Sequence, residues 1–183
     1  MVNKYKPELT NLQQGIFNLL FANPTKDFNM LRLSQILEVS QPAVKKSLPL
    51  LEKKKFVRIY QDKESKRYSV TLNRDNEKIF NMKRAKNLEL IYSSDLVSYI
   101  FNLFPGCTII LFGSYSKGED TENSDIDLAI IGSSEKKINV SKFEKFLERE
   151  IIFNFYKSFG AIKDNNLKNN LLNGIILSGS IEL

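Results

Sequence analysis

Apolar residues recur at helical spacing over residues 8–22, where Leu9, Leu12, Ile16, Leu19 and Leu20 share one face. Asn23-Pro24 predicts the end of that helix, because the residue before a proline disfavours the helical region. Met30, Leu31, Leu33, Ile36 and Leu37 predict a short second helix. Ser40 is a good N-cap for a third, with Pro42 just inside it, where a missing N–H costs nothing. That helix carries Ala43, Val44, Leu48, Leu50 and Leu51, and Pro49 is expected to kink or break it. The period then shortens from 3.6 to 2. Residues 56–61 and 67–72 alternate as strands around the charged turn Asp62-Lys63-Glu64-Ser65-Lys66.

Residues 74–92 set Ile79, Phe80, Met82, Leu88, Leu90 and Ile91 among charges and contain neither Gly nor Pro, which predicts a helical linker. Beyond it the pattern gives a helix over 95–104 ended by Pro105-Gly106, a strand over 108–112, a polar turn and a strand over 126–131. A helix over 139–149, a strand over 150–156, a short helix over 167–172 and a last strand or edge segment over 174–177 follow. The expected division is 1–73, a linker over 74–92, and 93–183.

The order of the first part, helix, helix, turn, helix and charged hairpin, resembles a winged helix-turn-helix. The stretch from Leu33 to Val57 follows that pattern, with its Ser-capped third helix and its Leu-Glu-Lys-Lys-Lys exit. The resemblance implies double-stranded DNA as a partner. Lys45 and Lys46 on the recognition helix and Lys53 at its exit would meet phosphates, with Lys63, Lys66 and Arg67 at the wing. Winged helices also dock proteins and often dimerise, which leaves a homodimer open.

The second part holds the chemistry, in the segment LFGSYSKGEDTENSDIDLAII, residues 111–131. Gly113-Ser114 ends one apolar strand and Asp125-Ile126-Asp127 opens the next. Strand alternation sends Asp125 and Asp127 to one side and turns Ile126 and Leu128 into the core. Two like charges on one side repel, so a divalent cation is their natural partner, and oxygen-only ligands favour Mg²⁺ or Mn²⁺. Gly113 lets a phosphate approach the backbone closely, and Ser114 offers both an N–H and a hydroxyl.

Here the chain closely resembles the minimal nucleotidyltransferases of the DNA polymerase β superfamily over residues 92–157. The resemblance rests on Gly-Ser, a ten-residue gap and Asp-x-Asp, with Lys117-Gly118 matching the family's basic-Gly pair. It implies that Gly113, Ser114 and Lys117 bind the triphosphate of an NTP. It also implies that Asp125 and Asp127 are the catalytic, metal-holding residues of an in-line phosphoryl transfer. The fold class implied is α+β, a winged helix followed by a polymerase-β-like domain with a small mixed sheet. Proteins of this kind are commonly paired with HEPN-type toxins, which makes such a protein a candidate acceptor. One position departs from the family pattern. A third carboxylate is expected on the strand after the next helix, and the aligned residue is Ile152; Glu150 and Asn154 share its strand parity. A catalytically degenerate domain in a DNA-binding regulator or antitoxin-like protein is therefore the alternative.

Composition narrows the chemistry. There is no His and one Cys, which removes imidazole acid–base catalysis, Ser-His and Cys-His nucleophiles and structural zinc. Cys107, beside the apolar run at 109–112, reads as a buried thiol in a reducing, cytoplasmic protein. No apolar run approaches the roughly 18 residues that cross a bilayer. Residues 1–80 carry 15 Lys and Arg against 8 Asp and Glu, whereas the rest carry 12 against 13, so the net +6 is concentrated in the first part. Lys136, Lys137 and Lys142 read as a solvated face, and Tyr115 as packing rather than a base-stacking group.

Overall fold

The computed structural model describes residues 9–61, 63 and 67–181. The chain divides into two compact units, with the boundary between Ile79 and Phe80.

In the first unit α1 (Asn11–Ala22) begins at a capping box, in which Thr10 and Gln13 exchange side-chain-to-backbone hydrogen bonds. A two-residue strand β1 (Phe28–Asn29) leads into α2 (Met30–Ile36), capped by Asn29. Ser40 caps α3 (Gln41–Lys53). The strands β2 (Val57–Gln61) and β3 (Tyr68–Leu72) pair antiparallel, and β1 joins the free side of β3 to give the order β1-β3-β2. The helices close over this sheet through Ile16, Phe17, Leu20, Leu33, Val44, Leu48, Leu51 and Val70, all fully buried, with Phe17 stacked on Phe56 at 5.0 Å. This is the helix–helix–helix–hairpin order of a winged helix-turn-helix.

Two details differ from the sequence pattern. Pro49 neither ends nor divides α3. It is exposed, so the Lys45 carbonyl that it leaves without a helical donor lies on the side open to water. The strand β1 carries too few residues to show a period and exists only because β3 offers it an edge.

The second unit is built on a four-stranded mixed sheet of order β6-β5-β4-β7. β4 (Thr108–Phe112) pairs antiparallel with β5 (Ile126–Ile131) and with β7 (Ile175–Ser178); β6 (Ile151–Tyr156) runs parallel to β5. Strand alternation sorts the side chains onto two faces. Ile109, Leu111, Ile126, Leu128 and Ile130 pack with residues of α4 (Glu77–Ser93), α5 (Leu96–Leu103) and α7 (Ser141–Leu147). Ile110, Phe112 and Ala129 pack on the other face with Phe159, Ile162 and Leu171 from a short 3-10 turn (Phe159–Ala161), the segment after it and α8 (Asn165–Leu172). Burying a Leu or Ile side chain contributes about 1.5–3 kcal/mol, so these two layers fix where the polar ends of β4 and β5 emerge. Residues 80–92, which read as a linker, contribute Ile91 to this core. Cys107 is a free, half-buried thiol packed against the same cluster. No helix among the described residues is long and apolar enough to cross a membrane.

Candidate nucleotide and metal site

β4 does not run into an open turn. At Gly113 the backbone enters the left-handed region, with φ of 72°, and winds directly into the five-residue helix α6 (Gly113–Lys117). No helical period marks it in the sequence, because one turn is too short to display one. The first amides of any helix lack intrahelical acceptors, so Gly113 and Ser114 stand where N–H groups are available to an anion. Ser116 donates its hydroxyl to the Gly113 carbonyl at 2.8 Å and stiffens the turn. Gly118 ends α6 in the left-handed conformation, with φ of 75°.

The β4–β5 register places Phe112 opposite Asp127, so the second aspartate lies beside the start of α6. A Cβ on Gly113 would overlap Oδ2 of Asp127 and sit 3.1 Å from its Cγ. Glycine is therefore required twice, by the backbone angle and by the carboxylate lying against its Cα. Asp127 is half-buried and Asp125 exposed. Burial, and then the charge of Asp125, raise the Asp127 carboxyl above its ordinary value. Among the described residues no Lys or Arg forms an ion pair with either of them. Like charges held together without a counter-charge are what a divalent cation would relieve, and the donor set, oxygen only, suits Mg²⁺ or Mn²⁺.

On the other side of Asp127 the parallel register sets Ile152 as its partner. Adjacent residues in register share a face of the sheet, so the third-carboxylate position is filled by an alkyl chain. Asn154 pairs with Ala129, two residues or about 6.5 Å farther along the strand. Glu150 lies just before β6, is exposed, and accepts the Ile126 N–H through its main chain at 2.9 Å. No group of three or more acidic, His or Cys side chains arranged to hold a metal occurs among the described residues.

Of the residues singled out from the sequence, Gly113, Asp125 and Asp127 converge, Ser114 follows Gly113 in the first turn of α6, and Lys117 lies exposed at the end of α6. Tyr115 is 3% exposed and belongs to the core, where burial, and then Asp120, push its phenol up. Lys142 lies over Phe143 at 4.5 Å and over Tyr99 at 5.4 Å, and Lys136 over Phe104 at 5.4 Å. In the first unit Lys45, Lys46 and Lys53 are exposed on α3, as are Lys63 and Arg67 at the wing, whereas Lys66 lies outside the described residues. A pocket of about 340 Å³ between the start of α3 and the wing base is lined by Asn29, Met30, Leu31, Gln41, Arg67 and Tyr68. Sequence reasoning missed that pocket, because β1 is what brings Asn29 beside Ser69, next to Tyr68.

Residues 93–178 match the family model of the nucleotidyltransferase domain. No curated protein sequence is significantly similar to the chain. Similar solved structures include a mutant of MepR from a multidrug-resistant S. aureus clinical isolate, at 26% identity over 36% of this chain and 48% of that one, with a TM-score of 0.33. The chain thus spans about half the length of that protein. AdcR from Streptococcus pyogenes is 21% identical over 53% of this chain and 69% of its own, with a TM-score of 0.38. A complex of S. aureus MepR with DNA is 22% identical over 50% and 81%, with a TM-score of 0.33. By its own elements the chain joins a winged helix-turn-helix unit to a second unit on a mixed four-stranded sheet, and residues 93–178 of that second part are similar to the nucleotidyltransferase domain.

Proposed function

We propose that the second unit binds an NTP with Mg²⁺ or Mn²⁺ and transfers its nucleotidyl group to an acceptor, while the winged helix holds double-stranded DNA. The observation that supports the reading is the packing of the Asp127 carboxylate against Gly113, which sets an oxygen donor beside the first turn of α6. The amides of Gly113 and Ser114 and the Ser114 hydroxyl bind the β- and γ-phosphates, and Lys117 adds positive charge one turn on. Asp125 and Asp127 would hold the cation, which would supply charge neutralisation for the leaving pyrophosphate. In the transfer the acceptor oxygen bonds to the α-phosphorus as the bond to the pyrophosphate oxygen breaks. The acceptor's proton must then leave to a base.

That last requirement favours a second reading, in which the domain binds nucleotide without turning it over. Ile152, paired with Asp127, neither accepts a proton nor helps to hold a metal at the attacking oxygen. In this reading the protein is a nucleotide-responsive DNA-binding regulator, antitoxin-like, whose partner is a HEPN-type toxin. The site's oxygen donors and glycine turn are the same under both readings.

Calorimetric titration of Mg-ATP, Mg-CTP, Mg-GTP and Mg-UTP into wild type and into D125N/D127N tests binding. Incorporation of each radiolabelled nucleotide into HEPN-type protein, tRNA and DNA tests transfer. Binding abolished by the double substitution, with incorporation, supports the first reading; binding without incorporation supports the second. Equal binding by both proteins would sink the site.

A further inference from the structure

The segment between the glycine turn and the two aspartates, residues 118–125, forms no helix or strand, yet it must hold both ends of the site in place. Its anchor is a buried charge. Asp120 pairs with Lys83 of α4, and the two side chains are 1% and 3% exposed. Asn87, one helical turn farther along α4, donates through Nδ2 to Asp120 Oδ1 at 2.7 Å and to the Tyr115 carbonyl at 2.9 Å. One amide therefore ties the body of α6 to the segment that follows it. Gly118 lies directly against the backbone of α4. A Cβ there would overlap the Phe80 carbonyl and sit 2.7 Å from the Arg84 nitrogen. Immediately downstream Thr121 and Ser124 close a tight turn, Thr121 N–H to Ser124 Oγ at 2.9 Å and Ser124 N–H to the Thr121 carbonyl at 3.2 Å, and Asp125 follows.

Burying an ammonium and a carboxylate carries a desolvation cost for each, and apolar residues of similar volume would usually stabilise the fold as well or better. What an ion pair with a bridging amide adds is a defined geometry. A leucine contact slides, whereas these donors and acceptors hold α6 in one position on α4.

We infer that Lys83, Asn87 and Asp120 are positioning residues for the nucleotide site. They seat α6 and the 118–125 segment on α4, so that Gly113 and Ser114 face Asp125 and Asp127 before ligand arrives. The inference rests on the proposed nucleotide reading for its consequence, and on the geometry alone for the positioning.

A single substitution such as D120A strands a buried ammonium and would unfold the domain, so the informative variant is K83M/D120L, which keeps the volume and removes both charges. Amide hydrogen exchange at residues 113–118 and 121–125 and calorimetric titration of Mg-ATP are measured on wild type and variant. The expected result is a folded variant with a cooperative thermal transition, because the two charges leave together and Asn87 keeps the Tyr115 carbonyl as an acceptor. Exchange at those amides rises about tenfold and Mg-ATP affinity falls about tenfold, the scale of lost support around metal ligands. A folded variant with unchanged exchange overturns the inference, and so does unchanged affinity where wild type binds. If wild type binds no Mg-ATP, the nucleotide reading fails while the exchange arm still decides the positioning role. Should the double variant not fold, N87A keeps the ion pair and cuts only the amide bridge. Raised exchange at residues 113–118 then supports the inference, and unchanged exchange refutes it.

Discussion

The two strands flanking Asp127 treat it in opposite ways. On the β4 side lie the features that the proposed function assigns to a charged ligand: a glycine whose φ excludes most other residues, the first turn of a helix, and a carboxylate laid against a bare Cα. On the β6 side the residue in register is isoleucine. Under the proposed function, the contrast separates holding a nucleotide from activating an acceptor. The first needs amides, a glycine and two carboxylates. The second needs a group that takes a proton or fixes a second metal at the attacking oxygen.

The most direct way to break this contrast is I152D, which makes the β6 side resemble the β4 side. Incorporation of labelled nucleotide is expected to rise at least about tenfold, at or below the range typical of general-base assistance, and metal-free stability to fall because a third like charge joins two others. No gain in a folded, nucleotide-binding variant would show that the acceptor side is limited by something other than the missing acid.

G113A attacks the other side. The left-handed φ and the overlap with Asp127 Oδ2 together cost about 1–3 kcal/mol of stability, read by denaturant titration, and Mg-ATP affinity is expected to fall by about tenfold or more. An alanine variant of wild-type stability and affinity would mean the turn is not the phosphate cradle.

K45A/K46A leaves the nucleotide site intact and tests the partition of roles between the units. Duplex DNA affinity measured against salt is expected to lose about two units of slope, roughly one per phosphate contact, with Mg-ATP affinity unchanged. An unaltered slope would remove α3 from the DNA interface.

The smallest effect concerns pH. The folded state holds the Asp127 carboxyl above its ordinary value of 3.8, so folding favours the protonated form. The metal-free protein should therefore lose stability as pH rises from about that ordinary value through the raised one, and the full penalty applies at neutral pH. D127N removes the penalty. Its metal-free thermal midpoint at neutral pH is expected to lie above that of wild type and to converge with it in acid, while Mg²⁺ should stabilise wild type alone. A variant less stable than wild type at neutral pH would contradict this account.

Much of the molecule could be read without coordinates because its determinants are local. Ser40 caps α3 through a bond to the amide three residues away, and the change of period marks β2 and β3. Gly113, Ser114, Asp125 and Asp127 stand at strand ends, where spacing alone shows which side chains share a face. Pro49 does not break α3, because the carbonyl it leaves unpaired lies on the exposed side of the helix, and exposure is not a local property.

The order of the longer elements, the two-part charge distribution and the glycine-aspartate frame are thus written in the chain itself, whereas β1 and α6 are too short to show a period. The resemblance already put Ile152 at the third-carboxylate position, but its place in register beside Asp127 is decided by the folded sheet, because strand register is set by packing across all its strands. The fold alone also makes Lys83 a buried partner of Asp120. In the sequence that lysine is one more charge on a polar helix, and nothing in its local spacing foretells a carboxylate brought to it from 37 residues away.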